Sequence, residues 1–207
     1  MLLSGLEQIQ SQSIELEQYA TDGDLAARWL TDIYAFGDLH EGCSVADMGA
    51  GNGVLGLGAI ALGAGRTILI EADKTACEIA QSNAEKTGLA DSVEVIQASI
   101  GTDSIELDSP DVVISNPPWG RQSFKADRPF LDAMLSARVT SHLMHSAEAS
   151  HIEPLFEGHG WSVERYGGAD FALPAAYSHH SRMRGKTRVA FWRLIPPERR
   201  ETLPDRS

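Results

Sequence analysis

Asp47-Met48-Gly49-Ala50-Gly51-Asn52-Gly53-Val54-Leu55-Gly56 is the stretch that decides the fold of this chain. Cys43 to Met48 reads as a short strand, Gly49 to Gly53 as a tight turn, and Val54 to Leu62 as the helix behind it. Glycines at such a turn let the backbone approach a ligand closely. The next apolar strand, Thr67 to Ile70, ends at Glu71, which lies 20 residues past Gly51. An acid at that distance is placed to accept hydrogen bonds from ribose hydroxyls. Strand, glycine turn, helix, strand and acid together predict a nucleotide-binding α/β sheet.

Working outward, the same alternation continues. Upstream, Leu25, Trp29, Ile33 and Phe36 recur at helical spacing, with Asp22 and Asp24 near the start of the run. Downstream, Lys74 to Lys86 reads as a helix ended by Thr87-Gly88, and Val93 to Ile96 alternates as an edge-like strand. Asp111 to Ser115 is a fourth strand. A helix near Phe130 to Ala137, a strand near Arg138 to Met144 and a helix from about Ala147 to Phe156 follow. Two last strands are expected near Trp161 to Tyr166 and Thr187 to Leu194. Strands alternating with helices call for a mostly parallel sheet covered on both faces. The chain shows no internal repeat, low-complexity segment or linker, so residues 1–207 read as one domain. Within it, residues 1–40 form an N-terminal helical cap, 41–195 the core and 196–207 a tail.

Composition narrows the setting. At 207 residues, 43% hydrophobic and 22% charged, the chain has the make-up of a soluble globular protein. No apolar run approaches the length that crosses a bilayer, and the N-terminus lacks the basic-then-apolar pattern of a signal peptide. Cys43 and Cys77 alone make no disulfide framework and read as buried, reduced thiols, so a cytoplasmic protein is expected. A net charge of −12 runs against phosphate binding by the body of the protein. Charge is unevenly spread, however. The segment His179 to Arg188 carries Arg182, Arg184, Lys186 and Arg188 and no acid, enough for a positive patch at the mouth of a site.

The fourth strand runs directly into Asn116-Pro117-Pro118-Trp119. This matches the (Asp/Asn/Ser)-Pro-Pro-aromatic signature of enzymes that methylate a planar exocyclic or amide nitrogen. Such a nitrogen has its lone pair delocalised and must be held by acceptors on its hydrogens. The Asn116 oxygen and the Pro117 carbonyl supply them on a backbone stiffened by two prolines. Trp119 offers a flat face for an extruded base. A Pro-Pro turn after a strand, with Trp119 merely half-buried, is the plain alternative. The glycine loop also fits the dinucleotide pattern G-x-G-x-x-G, which keeps a nicotinamide-dependent oxidoreductase in view. Asp47 argues for S-adenosylmethionine instead. An acid beside the loop repels a pyrophosphate but suits a cationic ammonium and sulfonium, and D-x-G-x-G-x-G is a form typical of methyltransferases.

Asp47 to Gly53, then Ile68 to Asp73, then Val112 to Gly120 occur in the order and spacing of class I, Rossmann-like methyltransferases. More specifically, the chain resembles the methyltransferase-like protein 5 family of ribosomal RNA adenine-N6 methyltransferases and their archaeal relatives. Leu16 to Leu30 looks like that family's Glu-Gln-Tyr-Pro-Thr segment, with Ala20 where Pro is usual. Lys125 to Leu135 is similar to the helix after its catalytic loop, and Tyr166 to Leu194 to its ending. The resemblance implies a seven-stranded sheet with the last strand antiparallel, S-adenosylmethionine as cofactor, and RNA as substrate. It implies Asn116, Pro117, Pro118 and Trp119 as the catalytic corner. Gln18, Thr21, Asp47, Gly49, Gly51, Gly53, Glu71, Ser99, Ile100 and Asn116 would contact the cofactor, and Arg182, Arg184, Lys186 and Arg188 the RNA. Ser99-Ile100 stands where the family commonly has an acid for the adenine amino group. The resemblance also implies a small zinc-binding activator protein that adds a strand along Val93 to Gln97.

Two further classes remain open. One is a protein glutamine-N5 methyltransferase acting on a translation factor, whose relatives usually carry a longer helical domain before the glycine loop. The other is a non-catalytic cofactor- or RNA-binding subunit, against which Asn116, Glu71 and the glycines argue. Thr21 reads equally well as a helix-entry residue, and Asp73 reads as a helix N-cap. His142, His145 and His151 show no zinc spacing, so no metal is expected and core or surface roles are assigned to them.

Overall fold

The computed structural model describes residues 2–9, 21–105, 107–119, 125–172 and 186–198. Seven strands form one sheet: β1 Ser44–Met48, β2 Arg66–Glu71, β3 Val93–Gln97, β4 Val112–Ser115, β5 Thr140–Ser146, β6 Ser162–Ala172 and β7 Lys186–Ile195. Their order is β3-β2-β1-β4-β5-β7-β6. The pairs among β1 to β5 are parallel, while β7 lies antiparallel between β5 and β6. Strands β1, β2 and β4 are buried almost throughout, in keeping with the apolar residues at their centres.

Among the described residues, five α-helices cover the sheet: α1 Gly23–Ala35, α2 Val54–Ala61, α3 Lys74–Thr87, α4 Arg128–Ala137 and α5 Ile152–Gly158. On one face, Ala26, Trp29, Leu30 and Ile33 of α1 join Val54, Leu55 and Leu57 of α2 and Ala84 of α3 in a single core. On the other, Leu131 and Met134 of α4 and Ile152 and Phe156 of α5 pack with Val113, Leu143 and Trp192. Asp22 caps α1 by accepting from the Asp24 N–H, and Asp73 caps α3 by accepting from the Ala76 N–H. Gly88, left-handed, ends α3. Helix α2 packs tightly: a methyl group on Gly58 would stand 2.4 Å from the Leu30 side chain of α1, so a larger residue there must displace it.

Three boundaries differ from the sequence reading. The chain from Ala147 to Ser150 is not helical, because the Ala147 N–H is taken by the Arg188 carbonyl of β7 and the Ala149 N–H by Ser146. Helix α5 therefore starts at Ile152, with Pro154 in its first turn, where a missing N–H costs nothing. Arg138 is the left-handed end of α4 rather than the start of β5. Strand β6 runs six residues past Tyr166, paired with β7 to Lys186 through a bulge between Arg165 and Gly167.

A buried polar network ties the end of α1 to the sheet. His142, fully buried, meets Asp38 at 2.9 Å and the Tyr166 hydroxyl at 3.1 Å. Arg193 donates two hydrogen bonds to the same Asp38, and the Trp29 indole donates to Tyr166. Burial raises the Asp38 carboxyl, but the bonds from Arg193 and His142 outweigh it and bring it down to about 2. Burial holds the His142 imidazole below its usual range. The core role expected of His142 is what its position provides.

Candidate active site

The chain order reverses between β1 and β4, so the carboxyl ends of these two neighbours flank the crevice where open α/β sheets take ligands. Their register sets Met48 beside Ser115, and the Ser115 hydroxyl donates to the Met48 carbonyl at 2.6 Å. Gly49 and Asn116 are therefore the next residues out on adjoining strands. The glycine turn and the Pro-Pro corner start side by side.

Gly49, Gly51 and Gly53 all have positive φ, at 77°, 56° and 83°. At Gly49 a side chain would also meet the Phe130 ring at 3.0 Å, so conformation and space both demand glycine there. The loop is hung from β2: the Gly49 and Ala50 N–H groups donate to the Ile70 carbonyl. Glu71, mostly buried, accepts from the Gly51 N–H through one oxygen and from the Asp73 N–H through the other, each at 2.9 Å. A carboxylate oxygen has lone pairs for more than one donor, so this tether aims Glu71 without exhausting it. A nucleoside cofactor with a cationic amino-acid tail fits this donor and acceptor set.

Asp47 lies in the buried run of β1. It is 0% exposed, with one oxygen accepting from the Gly56 N–H at 3.0 Å and the other buried without a hydrogen-bond partner. Burial, assisted by the charge of Glu71, lifts its carboxyl to about 7 against the pull of the Gly56 N–H. It is buried near the end of β1, against the start of α2, whose Gly56 N–H donates to it.

Asn116 is oriented from both sides. Its Nδ2 donates to the Thr21 hydroxyl, and its Oδ1 accepts from the Trp119 indole N–H, both at 3.1 Å. Thr21 is thus not the cap of α1, a role Asp22 takes; it is buried against the corner. A phenylalanine at 119 could not make the indole bond, so Trp119 fixes which way the amide points. Pro117 is buried and Trp119 is only 7% exposed. Ser99 is half-buried in a turn, its N–H on Asp103, and Ile100 is buried in the core beneath it.

Gln18, Arg182 and Arg184 lie outside the described residues, and of Lys186 only its backbone place in β7 is described. Arg188 is exposed near the start of that strand. Because β7 is antiparallel, it begins where β5 ends, with Val189 beside Ser146, and Ala172 closes β6 opposite Lys186. Ala172 and Lys186 therefore lie at the same end of the sheet as the Pro-Pro corner.

One group was not visible from the spacing. Asp127, His145 and His151 bring three potential ligand atoms within 4.8 Å of one another. Asp127 accepts from both rings, His145 Nε2 at 3.1 Å and His151 Nε2 at 2.6 Å. The Ser146 N–H donates to His145 Nδ1 at 2.9 Å, which leaves the proton of the neutral ring on Nε2. A metal-binding histidine has the opposite arrangement, a bare nitrogen toward the metal and a proton on the other. The cluster is accordingly a hydrogen-bonded one.

Comparison with known proteins agrees with this geometry. The family model for ribosomal protein L11 methyltransferase (PrmA) matches residues 24–117. An uncharacterized protein of Methanocaldococcus jannaschii is 31% identical, with 94% of this chain and 91% of that protein covered. The rRNA N(6)-adenosine-methyltransferase METTL5 of Danio rerio is 30% identical, with 94% of this chain and 95% of that protein covered. Among solved structures, a candidate RNA methyltransferase of Pyrococcus horikoshii superposes with a TM-score of 0.81 at 29% identity, over 95% of each chain.

Proposed function

Since the chain belongs to the METTL5 family of rRNA N(6)-adenosine-methyltransferases, we propose that it transfers a methyl group from S-adenosylmethionine to an adenine N6 of RNA, ribosomal RNA foremost. The observation that carries this reading is the β1–β4 register, which seats the Asn-Pro-Pro-Trp corner beside the glycine turn at the crevice. The bound cofactor supplies an electrophilic sulfonium methyl. Everything else is positioning and electrostatics. An amine held there would need no strong base: its N–CH3 bond would form as the S–CH3 bond breaks, the donor would leave as the neutral thioether S-adenosylhomocysteine, and the surplus proton would pass to solvent. Asn116 Oδ1 and the Pro117 carbonyl accept from the amino group, and Pro118 stiffens the turn. The Trp119 ring carries the flipped or unpaired base.

Glu71 holds the ribose hydroxyls, while Gly49, Gly51 and Gly53 let the loop meet the methionine end. Gln18, Thr21, Ser99 and Ile100 complete the cofactor contacts, and Asp47 acts through its charge. Arg182, Arg184, Lys186 and Arg188 take RNA phosphates, which offsets the acidic body locally. We read the chain as one domain working in the cytoplasm; among the described residues no helix is long and apolar enough to cross a membrane.

A protein substrate is the second reading, favoured by the L11 methyltransferase match, which covers the cofactor half from α1 to Pro117. Labelled S-adenosylmethionine mixed separately with total RNA and total protein separates the two. Label recovered as N6-methyladenosine is expected. Label confined to protein would overturn the RNA reading, and no label in either would favour a binding subunit.

Strand β3 supports the partner. It forms one edge of the sheet, with Val93, Val95 and Ile96 half-buried and Glu94 paired to Arg66. An open edge of this kind accepts a further strand. A small zinc-binding activator protein is assigned there, and adding it is expected to raise both yield and turnover. A purified chain that is monomeric, soluble and fully active by itself would refute the assignment.

A further inference from the structure

Asp127 stands at the N-cap of α4, where an aspartate ordinarily accepts from the first free N–H groups of the helix. It makes no such bond. Its carboxylate turns instead to His145, at the end of β5, and His151, at the entry to α5. Three elements that are distant in sequence meet on one oxygen. Asp127 and His145 are nearly inaccessible, while the His151 side chain is 51% exposed. Burial would raise the Asp127 carboxyl, but the two imidazole donors outweigh it and hold it below its ordinary range.

What this junction touches gives it a purpose. The His145 ring lies against Trp119, with centroids 6.2 Å apart and planes tilted by 41°. The two residues directly after Arg128 reach the cofactor side. A methyl group on Gly101 would stand 2.6 Å from Pro129, and one on Gly49 would stand 3.0 Å from Phe130. So the start of α4 rests on the loop after β1 and the loop after β3, while the strand end bound to it rests on Trp119. Donor side and acceptor side are both referenced to Asp127.

We infer that Asp127, bridging His145 and His151, is a positioning residue for methyl transfer that fixes the Trp119 platform relative to the two cofactor loops. This rests on the functional reading above. The three residues need not touch the reacting atoms. Their service is to keep acceptor and donor in line once both are bound, a condition on which transfer rates depend steeply. Loss of the bridge is therefore expected in turnover at saturation, more than in the affinity for either ligand.

Asp127→Asn keeps the shape but accepts less well from two donors; His151→Ala removes only the half-exposed ring and leaves the core intact. Each is assayed with saturating S-adenosylmethionine and RNA, beside calorimetric titration of the cofactor and a melting curve. We expect kcat to fall on the order of 10-fold or more in both, with cofactor affinity changing far less. Free imidazole, which fits the opening left by His151→Ala, is expected to restore much of that loss but none of the loss in Asp127→Asn. Wild-type kcat in both variants, a kcat loss matched by an equal loss of cofactor binding or by unfolding, or no imidazole rescue would each overturn the inference. A wild-type chain that methylates no RNA in the same assay would instead sink the functional reading on which it rests.

Discussion

Replacing Asn116 by alanine is expected to lower kcat by about 10²- to 10³-fold, the scale set by losing one preorganised polar group at a reacting centre. The amide is well prepared for its task. Thr21 takes its Nδ2 and the Trp119 indole takes one lone pair of its Oδ1, so the oxygen cannot rotate away when a base arrives. Nothing has to be ordered at the moment of reaction. Cofactor affinity, measured by calorimetry without RNA, is expected to stay close to wild type, because the glycine turn hangs from Ile70 and Glu71 rather than from Asn116. Trp119→Phe serves as the control. It keeps an aromatic face but removes the indole donor, so it is expected to cost far less than Asn116→Ala. Asn116→Ala with near-normal turnover would show that the nitrogen is held by other groups.

How much of this could be read from the chain depends on how local each feature is. The glycine turn, Glu71 and the Pro-Pro corner announce themselves because each is fixed by a few consecutive residues whose backbone freedom or rigidity is the point. Their adjacency also followed, since a parallel sheet with short connections leaves few orders for its strands. The resemblance implied an antiparallel last strand but not its insertion between β5 and β6, as nothing in a strand's own residues says which neighbour it takes. Asp127 escaped notice for a related reason. In sequence it belongs to no motif, and its partners lie 18 and 24 residues away on other elements. His145 and His151 were visible as residues but not as a pair. Asp47 is legible as an acid beside the loop, but its complete burial is not. A strand end alternates faces by residue, and burial against α2 follows from how closely Gly56 lets the helix approach Leu69, where a methyl group would stand at 2.2 Å.

That burial gives Asp47 a testable electrostatic signature. Its carboxyl is raised from 3.8 to about 7, first by burial and then by the charge of Glu71, against the Gly56 N–H. A group that holds its proton more tightly folded than unfolded opposes folding when it ionises. Its penalty is absent below about 3.8, grows as pH rises, and is complete above about 7. A shift of that size corresponds to about 4 kcal/mol at most. Asp47→Asn removes the titration while keeping an oxygen for Gly56. The variant is therefore expected to melt above wild type at pH 8, with a difference that shrinks as pH falls toward 4. Saturating S-adenosylmethionine should narrow the difference at pH 8, because a cationic ligand above the loop favours the ionised carboxylate. A difference that stays flat with pH would mean that Asp47 is not the buried acid inferred here. A cofactor that leaves the gap unchanged would mean that its positive end lies too far from Asp47 to feel it.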